Sequence, residues 1–305
     1  MRLVITALIL LLAQGMALIA CADRETYHRT TTAFGNMAMS YPVWGAIIVR
    51  EDRIVAYFLN LEDGSERTLS LPGGDYTSLN EKPGTTGQFM LTAKKGNRYS
   101  TVHYDFAANS TRTEWTTSAK ILDPFQLDGK DCALRPNAET QKGLYHWSVL
   151  CEDGAKSSGD PIVSTSDLIP APDRIVVVDA GEGEDEFWTI TIKDGKPEIG
   201  PRVTAPLPYD ALPSGGFLHH GQAYVLVYPK PASLYRVTPD GAYLEEGPIS
   251  ASINAAEIYG PHVLHFQDDL FVTAERFKEK GQIEIVTWGR GGEILNKHTV
   301  DVMSK

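Results

Sequence analysis

Residues 215–248 read GGFLHH (215–220), GQ (221–222), AYVLVY (223–228), PKPA (229–232), SLYRVT (233–238), PD (239–240) and GAYLEEGP (241–248). Short apolar runs rich in β-branched and aromatic side chains alternate with Gly-Gln, Pro-Lys-Pro and Pro-Asp-Gly breaks. That alternation is the pattern of four short strands joined by tight turns, an antiparallel meander. A lone four-stranded sheet cannot bury its apolar face, so several must pack around shared cores.

Working outward, the same order of strand, tight turn and strand recurs. A first unit runs through 42–49, 53–59 and 67–71, and a second through 88–91, 99–104 and 111–117. A third, 125–154, is irregular, and a fourth covers 161–164, 174–179 and 187–192. A sixth follows the template through 261–266, 270–273, 282–288 and 293–302. The residues before the second strand of the clear units are Asp52, Asn97, Asp173, Gln222 and Asp269, at gaps of 45, 76, 49 and 47. Three gaps match the period of propeller blades, and the wide one spans the irregular unit. The expected fold is therefore all-β, a degenerate β-propeller of about six small antiparallel sheets. Two β-sandwich domains would use the same strands at similar spacing and stand as the alternative. No segment reads as an amphipathic helix, since 79–87 is broken by Lys82-Pro83-Gly84.

The first twenty residues are organised differently. Met1-Arg2 precedes the apolar run 3–20, which ends at Cys21 and gives way to Ala22-Asp23-Arg24-Glu25. This is the order of a secretory signal peptide. Leu18-Ile19-Ala20-Cys21 resembles the lipobox of bacterial lipoproteins. The resemblance implies cleavage before Cys21, acylation of its thiol, and membrane attachment outside the cytoplasm. Two acyl chains hold a protein stably on a bilayer where one does not. With Ala22 rather than Asp after the cysteine, the resemblance points to the outer membrane, facing the periplasm. The expected division is a signal peptide at 1–20, a lipidated tether at 21–40 and one β-rich domain at 41–305.

Without the leader the chain carries 27 Lys and Arg against 39 Asp and Glu, a formal charge of −12. Nucleic acid and bare anionic lipid are poor partners for such a charge, and a basic protein is a better one. Cys132 and Cys151 remain in a compartment where disulfides form, placed to close a hairpin near its open end. A metal site at this pair lacks further ligands at usual spacing.

The sharpest charge cluster is 181–186, with Glu182, Glu184, Asp185 and Glu186 following Gly181 and Gly183. It lacks the ligand order of an EF-hand, so a solvated hairpin tip is the plainer reading than a calcium site. In a propeller it joins the second and third strands of its blade. So do the loops carrying Lys230 and, further on, Lys278 and Lys280. All three then lie on one face, whose mixed charge suits orienting a protein partner. His219-His220 and His262/His265 sit at strand spacings that point to opposite faces, so no metal is expected there. No nucleophile elbow, phosphate loop, dinucleotide fingerprint or zincin helix is present, and no cofactor is expected. The functional expectation is a lipid-anchored envelope protein that binds a protein partner. Its concrete form is an immunity protein neutralising a secreted toxic effector. An envelope-assembly scaffold, or a hydrolase or lyase with a loop-built site, is the alternative.

Overall fold

The structure is a computed structural model. It describes residues 37–50, 53–136, 146–159, 162–163, 168–171, 173–179, 186–204, 212–219, 222–228, 233–238, 241–248, 262–267, 270–277, 281–289 and 293–301. Residues 1–20, expected as a signal peptide, and Cys21 lie outside that set. Residues Met37–Lys305 form one compact unit.

Six sheets follow one another along the chain, each built from consecutive antiparallel strands. The first comprises β1 (Met37–Ser40), β2 (Val43–Arg50), β3 (Arg53–Asn60) and β4 (Glu66–Leu69). The second comprises β5 (Asp75–Glu81), β6 (Gln88–Lys95), β7 (Arg98–Asp105) and β8 (Ser110–Thr117). The third comprises β9 (Leu122–Leu127), β10 (Lys130–Pro136), β11 (His146–Cys151) and β12 (Ile162–Val163). The fourth comprises β13 (Leu168–Pro170), β14 (Ile175–Asp179), β15 (Glu186–Lys193) and β16 (Lys196–Ile199), with the short β17 (Val203–Thr204) paired to β15. The fifth is β18 (Leu212–His219), β19 (Gln222–Tyr228), β20 (Ser233–Thr238) and β21 (Gly241–Pro248), the stretch quoted at the outset. The sixth is β22 (His262–Gln267), β23 (Leu270–Phe277), β24 (Gln282–Gly289) and β25 (Ile294–Asp301).

First strands of successive sheets lie side by side: β1 by β5, β5 by β9, β13 by β18 and β18 by β22. The series returns on itself, because β22 also lies beside β1. Each sheet therefore packs against two neighbours in a ring rather than against one partner as in a sandwich.

Two strands escape the sequence pattern. β1 lies within the 21–40 stretch expected as tether, and its last three residues are buried. It pairs with β2 through Met37↔Ala46 to Ser40↔Val43. β5 is polar, and a register shift between Tyr76 and Ser78 breaks its alternation. Restoring both strands corrects the repeat. Asp52 and Asn97 precede third strands, whereas Asp173, Gln222 and Asp269 precede or open second ones. Second strands begin at Val43, Gln88, Lys130, Ile175, Gln222 and Leu270, so the period stays between 42 and 48 residues throughout. The third unit is a regular sheet too. Ile162-Val163, expected in the fourth unit, pairs with β11 in the third.

The cores lie between sheets. Phe58, Phe89 and Tyr104 stack between the first and second, with ring centroids 4.9 and 4.4 Å from Phe58. Gly45 faces Phe58 across the β2/β3 ladder, and a Cβ at that glycine would come within 2.8 Å of the ring. Between the third and fourth sheets, Phe125, Leu134, Val149, Val177, Trp188 and Ile190 close a second core. Cys132 and Cys151 face each other in that core and form the expected disulfide, with Cα atoms 4.0 Å apart.

Candidate functional site

In a four-stranded meander the turn between strands two and three lies at the end where strand one begins. The turns between strands one and two and between three and four lie at the other end. Contacts between sheets fit this division. Gly87, between β5 and β6, donates its N–H to Ser40 at the end of β1 (3.2 Å). Lys130 Nζ, after the β9–β10 turn, donates to Asp153 Oδ2 (2.8 Å) and to Gly195 O of the β15–β16 turn (3.0 Å). All of these turns belong to one face, here called the turn face.

At the opposite, loop face lie the strand ends that flank the charged segments singled out in the sequence. β14 and β15 flank 180–185, β19 and β20 flank 229–232, and β23 and β24 flank 278–280. Each pair is the second and third strand of its sheet, and the three sheets are consecutive. Glu182, Glu184, Asp185, Lys230, Lys278 and Lys280 themselves lie outside the described residues. Glu186 opens β15, partly buried, and its carboxylate accepts from Arg202 Nη1 (3.3 Å). The Arg202 guanidinium also lies over the Trp188 ring, 5.0 Å from its centroid. Glu186 is thus braced at the base of the acidic loop rather than extended into solvent.

A second polar cluster went unseen in the sequence. In the seam between the second and third sheets, His103 Nε2 of β7 lies 2.8 Å from Asp131 Oδ2 of β10. His103 Nδ1 lies 3.5 Å from Glu114 Oε1 of β8 and 3.5 Å from Lys82 Nζ. Arg112 Nε contacts the same Glu114 oxygen. Only 4% of the Asp131 side chain and 12% of that of His103 are exposed. Its other oxygen accepts from Gln126 Nε2 (3.4 Å). The neighbouring apolar cluster is small, with Ile121, Ala133 and Leu150 buried and Tyr99, Trp115 and Ala119 packed against them. The groups lie in separate repeats with ordinary local sequence, and no motif could have joined them. The His103–Asp131 contact ties the second sheet to the third through polar groups removed from solvent.

Between the fourth and fifth sheets a cavity of about 60 Å³ is lined by Val176, Phe187, Thr189, Val203 and Val237 among others. That is room for very few water molecules. Among the described residues no group of three or more His, Cys, Asp and Glu is placed to hold a metal ion.

No family model matches this chain, and no curated protein matches it. Solved structures do. TolB from Acinetobacter baumannii superposes with a TM-score of 0.52 at 11% identity, over 90% of this chain and 67% of that one. The fold is a β-propeller. The propeller domain of the trilobed protease from Pyrococcus furiosus, described as having an open velcro topology, is similar at a TM-score of 0.46 and 10% identity, over 89% of this chain and 99% of that one. Acylaminoacyl peptidase from Pyrococcus horikoshii gives 0.46 at 11% identity over 89% of this chain, which spans about half (52%) of that protein. Identities this low speak to the propeller alone.

Proposed function

We propose that this propeller is a lipid-anchored protein of the bacterial envelope, held through Cys21, that binds a protein partner on its loop face. The observation that carries the reading is the placement of three charged segments at second-to-third turns of three consecutive sheets. A negative segment (182–186) and two positive ones (Lys230; Lys278 and Lys280) thus connect strand ends of one face, and opposite signs in a fixed order would orient a docking partner. The lipobox-like Leu18-Ile19-Ala20-Cys21 supports the anchor. Within this reading, the partner chemistry that suits the acidic segment is a cationic active-site mouth, as a neutralised toxic effector would present.

The test is capture of crosslinked partners from intact cells. Compared are the parent chain, a variant with Glu182→Lys, Glu184→Lys and Asp185→Lys, and one with Lys278→Glu and Lys280→Glu. A protein captured by the parent and lost in both variants is the expected result. Capture that ignores both reversals would overturn the assignment to this face. A Cys21 that takes up no labelled acyl chain would overturn the anchor.

A further inference from the structure

The overall charge argues against anionic lipid as a partner, but the distribution of charge does not. The β6–β7 turn reads Lys94-Lys95-Gly96-Asn97-Arg98, and all five residues are exposed. It joins second and third strands, so it lies on the loop face of the second sheet. Next to it, in the first sheet, the β2–β3 turn carries Arg50 and Arg53 as cross-strand partners. Below them Val49 and Ile54 also face each other, 40% and 38% exposed, two of the four large apolar side chains that stand out among the described residues. Lys120, exposed at the β8–β9 connection, adds a third sheet to the same side.

Opposing charges here are Glu51 and Asp52, which offset the two arginines, and Asp75, paired in register with Lys94. With Arg50 turned back over its own sheet, five cations remain against three carboxylates, a positive balance in a chain that is strongly negative overall. Arg50 is held in place, its guanidinium 4.5 Å from the Tyr57 ring centroid and its Nη1 donating to Thr68 Oγ1 (3.4 Å).

The lipid-anchor reading supplies a surface opposite this patch. β1 begins on the loop face, so the segment from Cys21 enters the body there. Only 15 residues separate Cys21 from Met37, a reach of roughly 50 Å at full extension. From this juxtaposition of basic turns, an exposed Val-Ile pair and the entry point of the anchored chain, we infer that the loop-face side of sheets one and two rests on an anionic phospholipid surface. Exposed basic side chains gain from the negative potential of such a leaflet, and small apolar side chains enter its headgroup region. The inference builds on the lipid-anchor reading and narrows it: the body is held in one orientation, and a partner on sheets four to six must work at the bilayer surface.

The experiment is vesicle co-sedimentation with the mature chain, residues 21–305, carrying Cys21→Ser, so that no acyl chain contributes. Vesicles of phosphatidylcholine with one third phosphatidylglycerol are compared with pure phosphatidylcholine. Expected are binding to the anionic vesicles only, its loss in half-molar salt, and a fall of roughly a hundredfold with Lys94→Glu, Lys95→Glu and Arg98→Glu together. Lys156→Glu with Lys196→Glu, on the turn face, should change binding less than twofold. Near-ultraviolet circular dichroism checks that each variant is folded. Equal binding to both vesicle types, or equal losses from the two sets of reversals, would overturn the inference. So would vesicle indifference with capture of an acidic protein by the basic turns. None of these outcomes depends on acylation of Cys21, which is decided separately by acyl labelling.

Discussion

Glu81 ends β5 in a partly buried position opposite Phe89, and burial pushes its carboxyl up from 4.5 to about 7. A raised carboxyl pKa means that the folded chain keeps a proton that the unfolded chain releases. Its contribution is therefore fully present below about pH 4.5 and is lost as pH rises towards 7. Glu81→Gln should match the parent at pH 4 and exceed it at pH 8 by of order 2 kcal/mol, read from urea unfolding. The same pH profile in both proteins would refute this account. Nothing local marks Glu81, because a glutamate ending a polar strand is ordinary until the fold decides what surrounds it. His103 and Asp131 show the same limit. Each is unremarkable in its own repeat, and the pair exists only because neighbouring sheets pack face to face.

At the scale of elements, the Cys132–Cys151 bridge was readable from the chain. Cys132 and Cys151 flank a hairpin pattern, and the register places them directly opposite. Closing a loop with a sequence separation of 19 residues stabilises by about 3 kcal/mol in the chain-entropy account. Reduction, or Cys132→Ala with Cys151→Ala, should lower the urea midpoint accordingly. The double variant should then be indifferent to reductant; a midpoint unmoved by either treatment would count against the bond. The strands carrying β-branched and aromatic runs, β2, β3, β14, β15 and the whole fifth sheet, were equally readable. β1 and β5 were not. Met-Ala-Met-Ser has no β-branched residue, and β5 is a polar run in which only Tyr76 and Leu79 reach the core between the first two sheets. Missing them misread the repeat as degraded, although its period is regular.

For the molecule as a whole, closure of the ring is the decisive event. Every sheet uses its own consecutive strands, so the first and sixth share none. Among the described residues, Asn296 Nδ2 donates to the Leu61 carbonyl (2.8 Å) and His298 Nε2 lies 3.1 Å from the same oxygen. These two groups bridge β25 to the β3–β4 turn. Asn296→Ala with His298→Ala should cost about 1 kcal/mol for each contact and speed amide exchange in β1 and β25 while the third sheet keeps its protection. Unchanged exchange at β1 would show that packing alone holds the seam. The sequence by itself determined the all-β class, the build from about six small antiparallel sheets and the pairing of Cys132 with Cys151, and it carries the lipobox-like run at 18–21. Those rest on side-chain periodicity, turn chemistry and short-range order along the chain. Only the tertiary structure decided the period of the repeat, the His103–Asp131 contact between sheets two and three, and which face gathers the basic turns. Each of these depends on residues far apart in the chain meeting across a sheet boundary, and pairing over such distances leaves no local trace.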